Sequence, residues 1–104
     1  MATSSKHYGP EMRAFKLYFS KLVGSIPLEM AAEFYSNDLI SLELFKAVEG
    51  TTGIPESQKV TKILLAVQDQ IVVNPSILQK FLSVVRADPS LLYIADALSD
   101  LYRK

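Results

Sequence analysis

The sequence predicts an all-α fold, a single antiparallel bundle of six short helices, and three observations carry that expectation. Apolar residues recur three or four positions apart along most of the chain, which is the period of one helix face. Strict apolar–polar alternation is missing, and the β-branched run Ile71-Val72-Val73 continues a helical stripe instead of opening a strand. Each periodic segment is bounded by Pro, Gly, Ser, Asn or Asp at positions where those residues start or stop helices. A chain of 104 residues, 49% of them apolar, has the material for one core. A domain of this size buries roughly two-thirds of its unfolded surface.

Residues 1–9 are small and polar, carry the only histidine, His7, and have no period, so they are expected to form a flexible lead-in to a domain spanning residues 10–104. The first helix is predicted from Pro10 to near Gly24, because Met12, Phe15, Phe19, Leu22 and Val23 share a face, with Arg13, Lys16 and Lys21 between them. Ser25 is the expected N-cap of the second helix, residues 27–36, with Pro27 in its first turn. That helix turns Leu28, Ala31, Ala32 and Phe34 or Tyr35 inward and carries Glu29 and Glu33 outside. Ser36-Asn37-Asp38 then favours a turn, since all three side chains bond local backbone, and Leu39 and Ile40 are expected to tuck into the core.

Ser41 caps a short third helix with Glu43 and Leu44 in its first turn, Phe45 and Val48 inward, and Gly50 where a left-handed residue after the helix would sit. Pro55 and Glu56 open the longest helix, whose Val60, Ile63, Leu64, Val67 and Ile71 form one stripe ending by Asn74. The last two helices start alike, at Asn74-Pro75-Ser76 and Asp88-Pro89-Ser90, each placing a capping side chain before a proline. The fifth turns Leu78, Phe81, Leu82 and Val85 inward, and the sixth turns in Leu91 or Leu92, Ala95, Leu98 and Tyr102. Short connections of roughly two to six residues make neighbouring helices antiparallel.

Composition narrows the function classes. Eleven basic and eleven acidic side chains give a formal charge of zero, without the basic surplus that replaces counterions around nucleic-acid phosphates. No apolar run reaches the length of a membrane span and the first ten residues lack an apolar signal core, so a soluble, cytoplasmic protein without a membrane partner is expected. The absence of Cys excludes disulfides, zinc–thiolate sites and a thiol nucleophile. His7 reads as a solvated side chain, and no His, Asp or Glu cluster has metal-ligand spacing. Gly50-Thr51-Thr52-Gly53 matches neither phosphate-binding glycine pattern and reads as a helix connection. No catalytic residue, cofactor or metal is expected, and the chain is expected to act by binding, not as an enzyme. The phenylalanines read as core, whereas Tyr8, Tyr18, Tyr35, Tyr93 and Tyr102 suit a rim or a contact surface.

Charge is segregated along the chain. Residues 1–24 hold Lys6, Arg13, Lys16 and Lys21 against Glu11, a net of +3, and residues 25–50 hold Glu29, Glu33, Asp38, Glu43 and Glu49 against Lys46, a net of −4. Lys59 and Lys62 add positive charge near the start of the fourth helix. Segregation of this kind occurs on solvated helix faces, but it also suits a bipolar domain that stacks head to tail, a heterologous contact able to propagate into a helical oligomer or filament.

Four segments resemble a caspase recruitment domain of the death-fold superfamily. Residues 34–41 (FYSNDLIS) are similar to that family's passage between helices 2 and 3, and residues 59–65 (KVTKILL) to its helix 4 core. Residues 78–85 (LQKFLSVV) resemble its helix 5 and residues 91–98 (LLYIADAL) its final helix. The resemblance covers about residues 11–102 and lies in pattern, with the first helix the least specific. It implies homotypic assembly with another such domain, of the same or a different chain, in apoptotic or innate-immune signalling. The implied basic side is Arg13, Lys16, Lys59 and Lys62, docking an acidic side of Glu29, Glu33, Asp38 and Glu43 on the next subunit.

Sibling families stay open as alternatives. The last helix lacks the RxDL motif typical of death effector domains, and the chain lacks the Trp common in death-domain cores. A helical nucleic-acid-binding domain using helices 2 and 3 as a helix-turn-helix is a further alternative, disfavoured by the acidic charge on those helices. A small enzyme or ligand carrier built on the bundle interior is the third, with few polar residues at core positions to support it.

Overall fold

An apolar stripe of period 3.6 coils into a helix and turns that stripe toward its neighbours. The computed structural model describes residues 9–50 and 52–103, where the chain is all-α, with seven α-helices, two short 3-10 turns and no strand. In order they are α1 (Pro10–Leu17), α2 (Phe19–Ser25), a 3-10 turn (Leu28–Met30) running into α3 (Ala31–Ser36), α4 (Leu42–Gly50), α5 (Glu56–Val73), α6 (Ile77–Arg86), a second 3-10 turn (Pro89–Leu91) and α7 (Leu92–Arg103). The expectations for residues 1–8, for Thr51 and for the side chain of Tyr102 lie outside the described residues.

The longest helix is the axis of the bundle. α1, α2, the first 3-10 turn and α6 all pack against α5, because its stripe of Val60, Ile63, Leu64, Val67 and Ile71 is buried along its length. α7 lies against both α1 and α6, α3 bridges α6 and α4, and α4 packs chiefly on α3 at the edge of the molecule. With a Cα radius of gyration of 13.6 Å the chain meets the value of about 13 Å expected for a compact domain of this size.

Three phenylalanines from separate helices knit the core. Phe81 meets Phe15 edge-on at 5.4 Å between ring centroids and stacks on Phe34 at 5.5 Å, and all three are buried. Both arrangements suit the aromatic quadrupole. Met30, Val84 and Ile94 are buried as well, additions to the expected core, while Phe19 and Val23 are half-buried and Ala32 is exposed. Leu39 and Ile40 are buried as expected, and Leu91, not Leu92, turns inward at the start of the last helix.

Several boundaries differ from the expected ones for identifiable reasons. The first helix is divided at Tyr18, whose φ of −95° and ψ of 5° leave the helical region, so six expected helices become seven. No proline or glycine stands there; α1 must reach both α5 and α7 while α2 reaches α5, and packing imposes the bend. Ser25 ends α2 instead of capping the next helix. The Glu56 carboxylate takes that role, accepting the Leu28 N–H at 3.2 Å from the first turn of α5.

Gly50 is the last residue of α4 and has no left-handed backbone; the left-handed glycine is Gly53, at φ 81°. Asp38 takes φ 62° in the turn after α3, which Asp tolerates better than most residues. Ser41 does cap, its Oγ accepting the Leu44 N–H at 3.1 Å. Asn74 and Asp88 each accept from the amide and hydroxyl of the serine two residues on, at 3.2 and 2.8 Å and at 3.0 and 2.8 Å. These closures tighten the chain into 3-10-type turns before the α-helix begins, so α6 and α7 start later than the proline positions suggest.

Candidate protein-interaction surface

Position on a helix decides which charges reach solvent. On α1 the residues Met12, Ala14 and Phe15 turn inward, which leaves Arg13 and Lys16 exposed. On α5 the buried residues Val60, Ile63 and Leu64 leave Lys62 exposed and Lys59 half-buried. Because α1 packs directly against α5, the four basic residues sit on two adjoining helices.

The acidic residues lie in the stretch from the first 3-10 turn, which packs on α5, to α4. Glu29 lies on the first 3-10 turn and Glu33 four residues on in α3, spaced to lie on one side. Asp38 occupies the left-handed turn after α3, and Glu43 stands in the first turn of α4, which packs on α3. All four are exposed. Lys46 on α4 is the exposed cation among them.

Two side chains of the axis helix, Glu56 and Gln70, hold this acidic segment by three long-range hydrogen bonds. Glu56 receives the Leu28 amide at its beginning, and near the far end of α5 the Gln70 side-chain amide donates to the carbonyls of Leu39 and, at 3.4 Å, Asp38. Tyr35 and Phe45 stack 5.1 Å apart and fix α3 to α4. Glu29, Glu33 and Asp38 thus ride on a segment fastened at Leu28 and at Leu39, and Glu43 follows on α4. Between the last two helices Arg86 pairs with Asp96 at 3.0 Å and donates to the buried Ser99 hydroxyl at 3.0 Å, clamping α6 to α7.

Sequence reasoning missed the apolar side chains next to these charges. Leu17 is 71% exposed one turn after Arg13 and shares a surface depression with Lys21 across the bend at Tyr18, and Leu42 is 46% exposed beside Glu43 in sequence. A signal for Leu17 was present: it stands off the stripe of Met12, Phe15, Phe19 and Leu22. Nothing comparable marked Glu56 or Gln70, whose partners are about thirty residues distant in sequence. Among the described residues no three His, Cys, Asp or Glu side chains are grouped as metal ligands would be, and no helix is long and apolar enough to cross a membrane. No family model, curated protein or solved structure matches the chain.

Proposed function

We propose that this chain is a homotypic protein-interaction domain of the death-fold kind, similar to a caspase recruitment domain, that assembles by docking a basic face onto an acidic face of the next subunit. It works by binding and not by catalysis, in cytoplasmic signalling of the apoptotic or innate-immune type, with another such domain as its partner. The observation that carries the reading is the segregation of charge along the chain, a net of +3 over residues 1–24 and −4 over residues 25–50. Arg13, Lys16, Lys59 and Lys62 occupy α1 and α5, while Glu29, Glu33, Asp38 and Glu43 occupy the stretch from the first 3-10 turn to α4.

A contact joining two different faces leaves one of each unsatisfied at the ends, so it adds subunits into a helical run unless its rotation closes a ring. Complementary potentials fix the orientation and raise the association rate, and the contact weakens as salt screens charges over about 8 Å at physiological ionic strength. The reading is tested by charge reversal. Arg13→Glu and Glu33→Lys, each placed on an exposed position, are expected to leave helicity unchanged and to lower self-association in light scattering. Unchanged association in both variants overturns the charged-face reading.

A further inference from the structure

Exposed ion pairs give orientation but little affinity, about 0–1 kcal/mol each, so a charged contact of this kind needs an apolar anchor. The basic face has one. Leu17, at the end of α1, is 71% exposed, the largest exposure of any leucine among the described residues. It stands on a ridge between two shallow surface depressions. One, of about 400 Å³, is lined by Leu17, Tyr18, Ser20 and Lys21, and the other, of about 260 Å³, by Leu17 with Pro10, Arg13, Ala14 and Leu101. The ridge is rimmed by positive charge from Arg13 and Lys21.

The acidic face offers the counterpart. Leu42, the first residue of α4, is 46% exposed and is followed by Glu43, with Glu33 on the adjoining α3. α4 packs chiefly on α3 at the edge of the bundle, where another molecule can reach it. Lys46 stands one turn beyond Leu42, yet residues 25–50 carry a net charge of −4. An exposed leucine on an acidic segment thus complements an exposed leucine flanked by Arg13 and Lys21, and both belong to this one chain.

We propose that the occupant of the Leu17 ridge is a second copy of this chain, presenting Leu42 and the acidic α3–α4 face, and that the Leu17–Leu42 contact supplies the affinity which the charges orient. This rests on the head-to-tail reading above and assigns its anchor. Because the contact is heterologous, each subunit keeps one ridge and one Leu42 face, and a variant lacking one retains the other.

The test uses sedimentation velocity on the full chain at low salt, with Leu17→Ser, Leu42→Ser and Arg13→Glu beside the unmodified protein. Leu17 and Leu42 are exposed, so circular dichroism is expected to be unchanged in all three variants. Leu17→Ser and Leu42→Ser each weaken self-association about tenfold or more, equivalent to about 1.4 kcal/mol. Their sensitivity to salt persists, because the charges remain. Mixed together, the two serine variants form a 1:1 pair that grows no further, the intact ridge of Leu42→Ser receiving the intact Leu42 face of Leu17→Ser.

If Leu17→Ser assembles like the unmodified chain while Arg13→Glu does not, the anchor is overturned and the charged-face reading stands. If each serine variant is impaired but the mixture stays monomeric, the pairing of Leu17 with Leu42 is overturned. If the unmodified chain sediments as a monomer at every concentration, the head-to-tail reading itself falls, and the anchor with it.

Discussion

Replacing Phe81 with leucine removes the ring that joins three helices, and its cost can be worked from the packing. Phe81 on α6 is fully buried and meets Phe15 of α1 at 5.4 Å and Phe34 of α3 at 5.5 Å. Each aromatic pair contributes about 0.5–1.5 kcal/mol beyond area burial. Leucine keeps most of the apolar volume but leaves a void near methyl size, worth about 1 kcal/mol. The expected loss for Phe81→Leu is therefore about 2–4 kcal/mol, within a typical domain stability of about 5–15 kcal/mol, so the variant remains folded.

Phe45→Leu is the control. Phe45 is half-buried and stacks with Tyr35 alone at 5.1 Å, so its loss is expected at about 1 kcal/mol or less. Urea unfolding followed by far-ultraviolet circular dichroism measures both. With a slope of about 2 kcal/mol per molar urea, the middle of the usual range, Phe81→Leu lowers the midpoint by about 1–2 M at unchanged slope. A midpoint for Phe81→Leu no lower than that of Phe45→Leu would refute the placement of Phe81 at the centre of the core.

Other outcomes follow from single contacts. Glu56→Ala deletes the acceptor for the Leu28 amide and a negative charge in the first turn of α5, and is expected to cost about 1–2 kcal/mol in the same urea experiment, with Glu56→Gln losing less. Ser41→Ala removes the cap of α4 and costs about 1 kcal/mol; because α4 lies at the edge, amide hydrogen exchange should rise in α4 before it rises in α5. Arg86→Ala leaves the buried Ser99 hydroxyl without its donor and is expected to cost about 1–3 kcal/mol, more than the exposed Arg86–Asp96 pair alone accounts for, which Asp96→Ala measures separately. At Asp38 the backbone is left-handed, so Asp38→Ala is expected to lose about 1 kcal/mol of stability while Asp38→Gly stays within about 0.5 kcal/mol, and both remove one charge from the acidic face.

The regular helices were the legible part of this chain. In α5 and α6 every residue expected inward is buried, because a stripe of large aliphatic side chains over several turns has one favourable orientation. Local capping was legible at Ser41 and Asp88, where donor and acceptor lie within three residues, whereas Asn74 closes a turn ahead of α6, whose N-cap is Ser76 without a side-chain bond. What local pattern misplaced depends on distant partners. The bend at Tyr18 answers to α5 and α7, and the start of the first 3-10 turn is satisfied by Glu56, 28 residues away, so Ser25 was free to end the preceding helix. Gly53 rather than Gly50 took the left-handed turn because α4 continues through Gly50.

The candidate surface was legible as charge but not as shape. Sign and spacing of Arg13, Lys16, Glu29 and Glu33 are readable directly, whereas the adjacency of α1 to α5 and of α3 to α4 comes from tertiary packing. Leu17 and Leu42 illustrate the gap. Leu17 stands off the apolar stripe in the sequence while Leu42 carries no such mark, and only the folded bundle shows how far each is exposed.

The most direct test of the head-to-tail account is the mass of the unmodified chain by sedimentation equilibrium, over a wide range of protein concentration and at several salt concentrations. Average mass is expected to climb past two subunits without a plateau as concentration rises, and to fall back toward the monomer as salt is added. A constant monomer mass at low salt, or a plateau at a closed dimer insensitive to salt, would contradict it.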